Sequence, residues 1–170
     1  MDLAEAAQAY MAAIAPRFQS AGYELTANIA HEGGMFAGVA RREKGELTRM
    51  GMARNLFLLA SFPSIDQQVM RNYTAACFRY ATKVDSGAMP RGLGGSLTVY
   101  SVGVTRSVDE AFAAGIRRTS PPRHVSALEI PVIVELETRR LQYFEKTPLW
   151  GAAYWRGLRK TIQELLPPPT

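Results

Sequence analysis

Hydrophobic positions along the chain fall into two alternating rhythms. At the start, Leu3, Ala7, Tyr10, Ile14 and Phe18 recur every three or four residues, the stripe of an amphipathic helix. Asp2 followed by Glu5 predicts a capping box at its beginning, Pro16 a kink or restart, and Gly22 its end. From Tyr23 the period changes to two, with Tyr23, Leu25, Ala27 and Ile29 alternating against Glu24, Thr26 and Asn28, as a half-buried strand requires. The turn Glu32-Gly33-Gly34 leads to a second strand over 35–42. Lys44-Gly45-Glu46 then turns into a third strand ending in 55–60, which completes an antiparallel meander.

Ser64 and Gln67 predict a second capping box, opening a helix to about Thr82 with Ile65, Val69, Tyr73, Ala76, Cys77 and Tyr80 inward. A loop rich in Gly and Pro over 86–95 precedes an alternating strand over 97–105. Ser107 and Glu110 predict a third box, on a short helix whose inward face is Val108, Phe112, Gly115 and Ile116 and which stops at Thr119-Ser120-Pro121-Pro122. Strands over 128–136 and 141–144 form a hairpin across 137–140. Pro131 places the first of them at an edge unless its missing donor faces a gap. A last helix is expected with Thr147 as cap, Pro148 at its first position and Tyr154, Leu158, Ile162 and Leu165 as its core stripe.

The order α-β-β-β-α-β-α-β-β-α, with no repeat and no dividing linker, predicts a single α+β domain over 1–170. Its mixed, mainly antiparallel sheet is packed by helices, and helical crossovers allow parallel pairing among the third, fourth and fifth strands. A length of 170 residues, 47% hydrophobic and 21% charged, is ample for one packed core. No apolar run approaches the roughly 18 residues of a membrane span. The first ten residues carry two acids and no base, the wrong start for a secretory signal, so a cytoplasmic location and no membrane partner are expected. The lone Cys77 agrees with a reducing compartment.

Charge is uneven, with a net −3 over residues 1–40 and +8 over the remainder, and 16 of the 20 cations are Arg. Arg suits phosphate and carboxylate partners, although an Arg and Ala bias from a GC-rich genome would produce the same excess. A net charge of +5 is far below that of a dedicated nucleic-acid binder.

Little in the sequence points to catalysis, so neither a catalytic residue, a cofactor nor a metal is expected. The loop Arg91-Gly92-Leu93-Gly94-Gly95-Ser96 follows a helix and enters a strand, the reverse of a phosphate cradle. The only histidines, His31 and His124, lack metal-ligand spacing. His31 reads as a solvated turn residue, and His124 lies in a loop where a role is easier to place. Cys77 lies on an inward stripe and reads as a small core residue. Glu129, Glu135 and Glu137 share one alternating face, expected to be a solvated acidic edge.

The order of elements is compatible with restriction-endonuclease-like cores, which resemble one another in an Asp followed by Glu-x-Lys on adjacent strands. The corresponding strand here reads Asn55-Leu56-Phe57-Leu58-Leu59-Ala60, and the motif is absent. The densest mixture of aromatic and basic residues lies over 139–160. Arg91, Arg139, Arg140, Tyr143, Trp150 and Trp155 are therefore the candidate partner-binding residues. The functional expectation is a non-enzymatic cytoplasmic binding or adaptor domain with a protein partner or a second copy of itself. The alternative is a nucleic-acid-associated protein of nuclease-like architecture, binding weakly through Arg41, Arg42, Arg91, Arg139 and Arg140.

Overall fold

One mixed sheet of seven strands, in the order β1-β2-β3-β4-β6-β5 with β7 also beside β6, organises the computed structural model, which describes residues 2–31, 33–46, 51–85, 96–124, 127–147 and 151–169. The elements are α1 (Leu3–Ser20), β1 (Glu24–His31), β2 (Gly34–Glu46), β3 (Gly51–Ser61), α2 (Gln67–Asp85), β4 (Ser96–Thr105), α3 (Glu110–Arg118), β5 (Arg123–His124), β6 (Ala127–Glu135), β7 (Arg140–Gln142) and α4 (Ala152–Leu165). The meander β1-β2-β3 is antiparallel, β3, β4 and β6 run parallel, and β5 and β7 each return antiparallel to β6. This is the expected α+β domain with its mainly antiparallel sheet, and the helical crossovers α2 and α3 enforce the parallel pairs.

The sheet is covered on both faces. Ile14 and Phe18 of α1 and Trp155, Leu158 and Ile162 of α4 pack on the face built by Phe57, Tyr100, Ile130 and Val132. Tyr73 and Cys77 of α2, with α3 beside it, cover the opposite face built by Leu58, Val99 and Ile133. Phe57 and Tyr100 stack in parallel at 4.0 Å on neighbouring strands of the first face. Gly103 lies on the second face, where an added Cβ would sit 2.7 Å from Ile65 Cδ1, so the absent side chain admits the start of the crossover.

Local chemistry places the ends of the helices. Asp2 and Glu5 form the expected capping box, and α1 runs through Pro16 without restarting. Tyr23 N–H bonds Phe18 O at 2.9 Å, closing the helix over Gly22, whose φ of 79° requires glycine. The next two caps differ from expectation. Asp66 rather than Ser64 accepts from Val69 N–H at 2.8 Å, and Asp109 rather than Ser107 accepts from Phe112 N–H at 3.0 Å. In both, a carboxylate two residues downstream supplies a stronger acceptor than the hydroxyl, and its charge meets the positive end of the helix dipole. The last helix runs over Ala152–Leu165 after Gly151 in the left-handed region, and the expected first position, Pro148, lies outside the described residues. Trp155 then takes the core position assigned to Tyr154: the tryptophan is 1% exposed and the tyrosine 41%.

Two strands also depart from the simple pattern. β1 does not present one continuous apolar face, because Asn28 adopts φ 55° and reorients the strand. Leu25 packs with the α1 layer and Ile29 with the α2 layer. Asparagine tolerates this conformation better than most residues. Lys44-Gly45-Glu46 is not a turn, since β2 continues to Glu46 paired with Gly51. The Gly- and Pro-rich loop over 86–95 lies outside the described residues.

β6 is an inner strand despite Pro131. Glu129 N–H bonds Pro122 O at 3.1 Å on the β5 side, so the nitrogen of Pro131, two residues on, points the same way. There β5 has ended, opposite Ala127 and Leu128, and β7 begins only opposite Ile133. The missing donor faces that gap, the exception the sequence allowed.

Candidate functional site

The acidic edge expected on β6 is not an edge. α2 and α3 cover this face, leaving Glu129 8% and Glu135 4% exposed, and only Glu137, in the following turn, is solvated. A buried carboxylate must be hydrogen-bonded. Glu135 accepts from Gln142 Nε2 at 2.8 Å and from Thr138 Oγ1 at 2.5 Å, while Gln142 Oε1 accepts from Arg117 Nη1, whose Nη2 pairs with Glu110. This chain of polar groups ties the C-terminal end of α3 to the β6–β7 hairpin and is structural.

Glu129 lies at the base of a groove of about 730 Å³ between α2 and α3. The α2 wall carries Met70, Thr74, Ala75 and Phe78, positions spaced at three and four residues. The α3 wall is Ala111, Phe112, Gly115 and Ile116, with Pro131 and Glu129 of β6 below. The stripe of α3 expected to be core is thus sealed on one side only. Ala113 is its buried residue, whereas Phe112 and Ile116 remain half-buried along the groove. An added Cβ at Gly115 would meet nothing within 4 Å. Arg71 and Arg79, both exposed, stand on the α2 rim. The signal for this site was present in the sequence as the apolar stripe of the third helix. A stripe reports an apolar face without saying what covers it.

Below the groove, Cys77 is fully buried. Burial pushes its thiol up to about 12, against the opposing effect of the Ser101 and Tyr73 hydroxyls beside it, with Glu129 adding to the rise. Tyr73 donates to Leu58 O at 2.8 Å, and burial raises its phenol well above the usual value. A thiol in this setting is no nucleophile. Among the described residues, no group of three or more His, Cys, Asp or Glu side chains could hold a metal ion.

The candidate partner-binding residues separate. Arg139, Arg140 and Tyr143 meet at a second cavity, of about 530 Å³, together with Arg117, Glu110 and Glu145. Arg139 occupies the hairpin turn with φ 54°, and Tyr143 OH accepts from Gln163 of α4 at 2.8 Å. Trp155 is elsewhere, buried edge-on against Phe144 at 5.5 Å, and has no surface to offer. Arg91 and Trp150 lie outside the described residues. Arg42, a candidate phosphate ligand, is committed to the fold: it lies over the Tyr23 ring at 4.6 Å and donates to Ala21 O at the end of α1. Arg41 pairs with Glu43. His31 is not simply solvated, since its ring stacks on Phe36 at 4.0 Å.

No protein-family model matches the chain, and no curated protein or solved structure is significantly similar to it. No helix among the described residues is long and apolar enough to cross a membrane.

Proposed function

We propose that the chain is a binding module rather than an enzyme, and that the α2–α3 groove takes a short amphipathic helix of a protein partner with acidic residues beside its apolar seam. The observation that carries this reading is the open stripe Phe112-Gly115-Ile116 facing Met70 and Phe78. Core-type side chains line a groove with exposed arginines on its rim, the arrangement of helix-in-groove recognition. The dimensions agree. The α2 wall spans residues 67–78 and the α3 wall 111–119, about 16 Å and about 12 Å at the helical rise, which suits two to three turns of a third helix. Arg71 and Arg79 supply the charge that selects acidic flanks. A cytoplasmic location remains part of this proposal, supported by the single buried thiol.

The test is anisotropy of a labelled helical peptide with a leucine seam and Glu flanks, against one with Lys flanks. The wild type should bind the Glu peptide, more weakly as salt rises, and Gly115→Trp should lose at least about tenfold by filling the groove. Equal binding by Gly115→Trp, or preference for the Lys peptide, contradicts the proposal. Dimerisation abolished by Gly115→Trp would replace the separate partner with a second copy.

The alternative is nucleic-acid association on a nuclease-like scaffold. It is favoured by the meander followed by parallel β4 and by the exposed pair Arg139 and Arg140. Retention on heparin that falls with salt and is lost in Arg139→Glu/Arg140→Glu would support it, and retention unchanged in that variant would oppose it.

A further inference from the structure

Charged side chains without partners collect where the β6–β7 hairpin meets α3 and the end of α4, at the cavity of about 530 Å³. Part of its lining is already satisfied. Arg117 pairs with Glu110 and donates to Gln142 Oε1, and Gln142 Nε2 donates to Glu135 at 2.8 Å. Arg139, Arg140 and Glu145 line the same cavity, and their side chains make no hydrogen bond or ion pair among the described residues, not even with one another. The Tyr143 hydroxyl accepts from Gln163 Nε2 at 2.8 Å, which leaves its own proton for a further acceptor.

Two features separate this arrangement from ordinary surface charge. Arg139 is held at φ 54°, in the left-handed region, where a turn alone would be better served by Gly or Asn. Second, charges of both signs line one cavity without closing on each other. A bare anion would be drawn to the arginines and repelled by Glu145, whereas a molecule carrying a carboxylate beside an ammonium meets both signs at once. Guanidinium groups match a carboxylate through paired N–H donors, and Tyr143 adds a neutral donor. Leu141, half-buried, and Leu166, fully buried, offer an apolar side chain a surface, and the volume suits one small molecule.

We infer that this cavity binds a free α-amino acid with an apolar side chain, its carboxylate held by Arg139, Arg140 and Tyr143 and its ammonium by Glu145. The test is calorimetric titration of the full chain with leucine, N-acetylleucine, leucinamide and inorganic phosphate. Leucine should bind with a Kd below about 1 mM and at least about tenfold more tightly than any of the other three. Arg140→Gln, at an exposed site, should weaken leucine about tenfold. Glu145→Gln, also exposed, should erase the preference for leucine over N-acetylleucine, with circular dichroism confirming that both variants fold. Absence of binding to the wild type, phosphate bound as tightly as leucine, or an unchanged preference in Glu145→Gln would overturn the inference. Neither Arg140 nor Glu145 lines the α2–α3 groove, so the two proposals fail separately.

Discussion

Glu135 Oε1 accepts a 2.8 Å hydrogen bond from Gln142 Nε2 across the β6–β7 hairpin, and both side chains are buried. The pair explains how a carboxylate survives on a face covered by helices, and it fixes β7, only three residues long, against the sheet. Gln142→Leu removes this donor and the acceptor for Arg117 together. It should destabilise the fold by about 2–4 kcal/mol, because a buried charge is left with Thr138 as its partner. Glu135→Leu/Gln142→Leu should recover most of the loss, since an apolar pair of similar volume needs no partners. Urea denaturation of these two variants and of Glu135→Leu alone checks both expectations, and additive losses would show that the two residues act independently.

Gly115 stands inside α3 with open space where a side chain would be. Gly115→Ala should stabilise the protein by about 0.5–1 kcal/mol through helix propensity alone. A higher urea midpoint at unchanged slope is the expected result. A loss of stability would mean that the groove is closed in solution.

Gly103 makes the opposite prediction. An added Cβ would lie 2.7 Å from Ile65 Cδ1 and 3.7 Å from Phe62, both at the entry to α2. Gly103→Ala should cost about 1–3 kcal/mol by overpacking. Ile65→Val, which removes the clashing methyl, should cost less in the Gly103→Ala background than in the wild type. Thermal melts of the four-member cycle measure the coupling.

The thiol of Cys77 sets a pH dependence. Its folded value of about 12 exceeds the ordinary 9.0, so between these values the folded state keeps a proton that the unfolded state has lost. The contribution is therefore fully present below about pH 9 and declines as pH rises towards 12, at about 1.4 kcal/mol per unit at most. Tyr73 and Tyr100, raised by burial, add the same trend above pH 10. Stability measured at pH 8.5 and 9.5 should fall in the wild type, and the fall should be smaller in Cys77→Ala. Equal slopes would contradict the burial of the thiol.

The order of the main elements and the mixed sheet were legible because hydrophobic period distinguishes helix from strand. The two-residue strand β5, Arg123–His124, read as loop because so short a pairing has no period. Other features depend on contacts that period does not encode. Alternation on β6 told correctly that Glu129 and Glu135 share a face, but not that α2 and α3 cover it. In the last helix Tyr154 and Trp155 both satisfy the spacing to Leu158, at four and three residues, and only the contact with buried Phe144 distinguishes Trp155 as the core residue. Ser64 and Ser107 matched a capping pattern that Asp66 and Asp109 fulfil with a stronger acceptor. Of the candidate site, Arg139, Arg140 and Tyr143 do meet at one cavity, while the groove lay concealed in residues that looked like core.

The most direct measurement is methyl-selective NMR during titration with the Glu-flanked peptide. The account predicts that the methyl signals of Met70 and Ile116 shift progressively to saturation, while those of Leu141, beside Arg140, stay fixed, and that Gly115→Trp removes the shifts. Movement confined to Leu141, or binding without change at Met70 and Ile116, would contradict the assignment of the groove as the binding site.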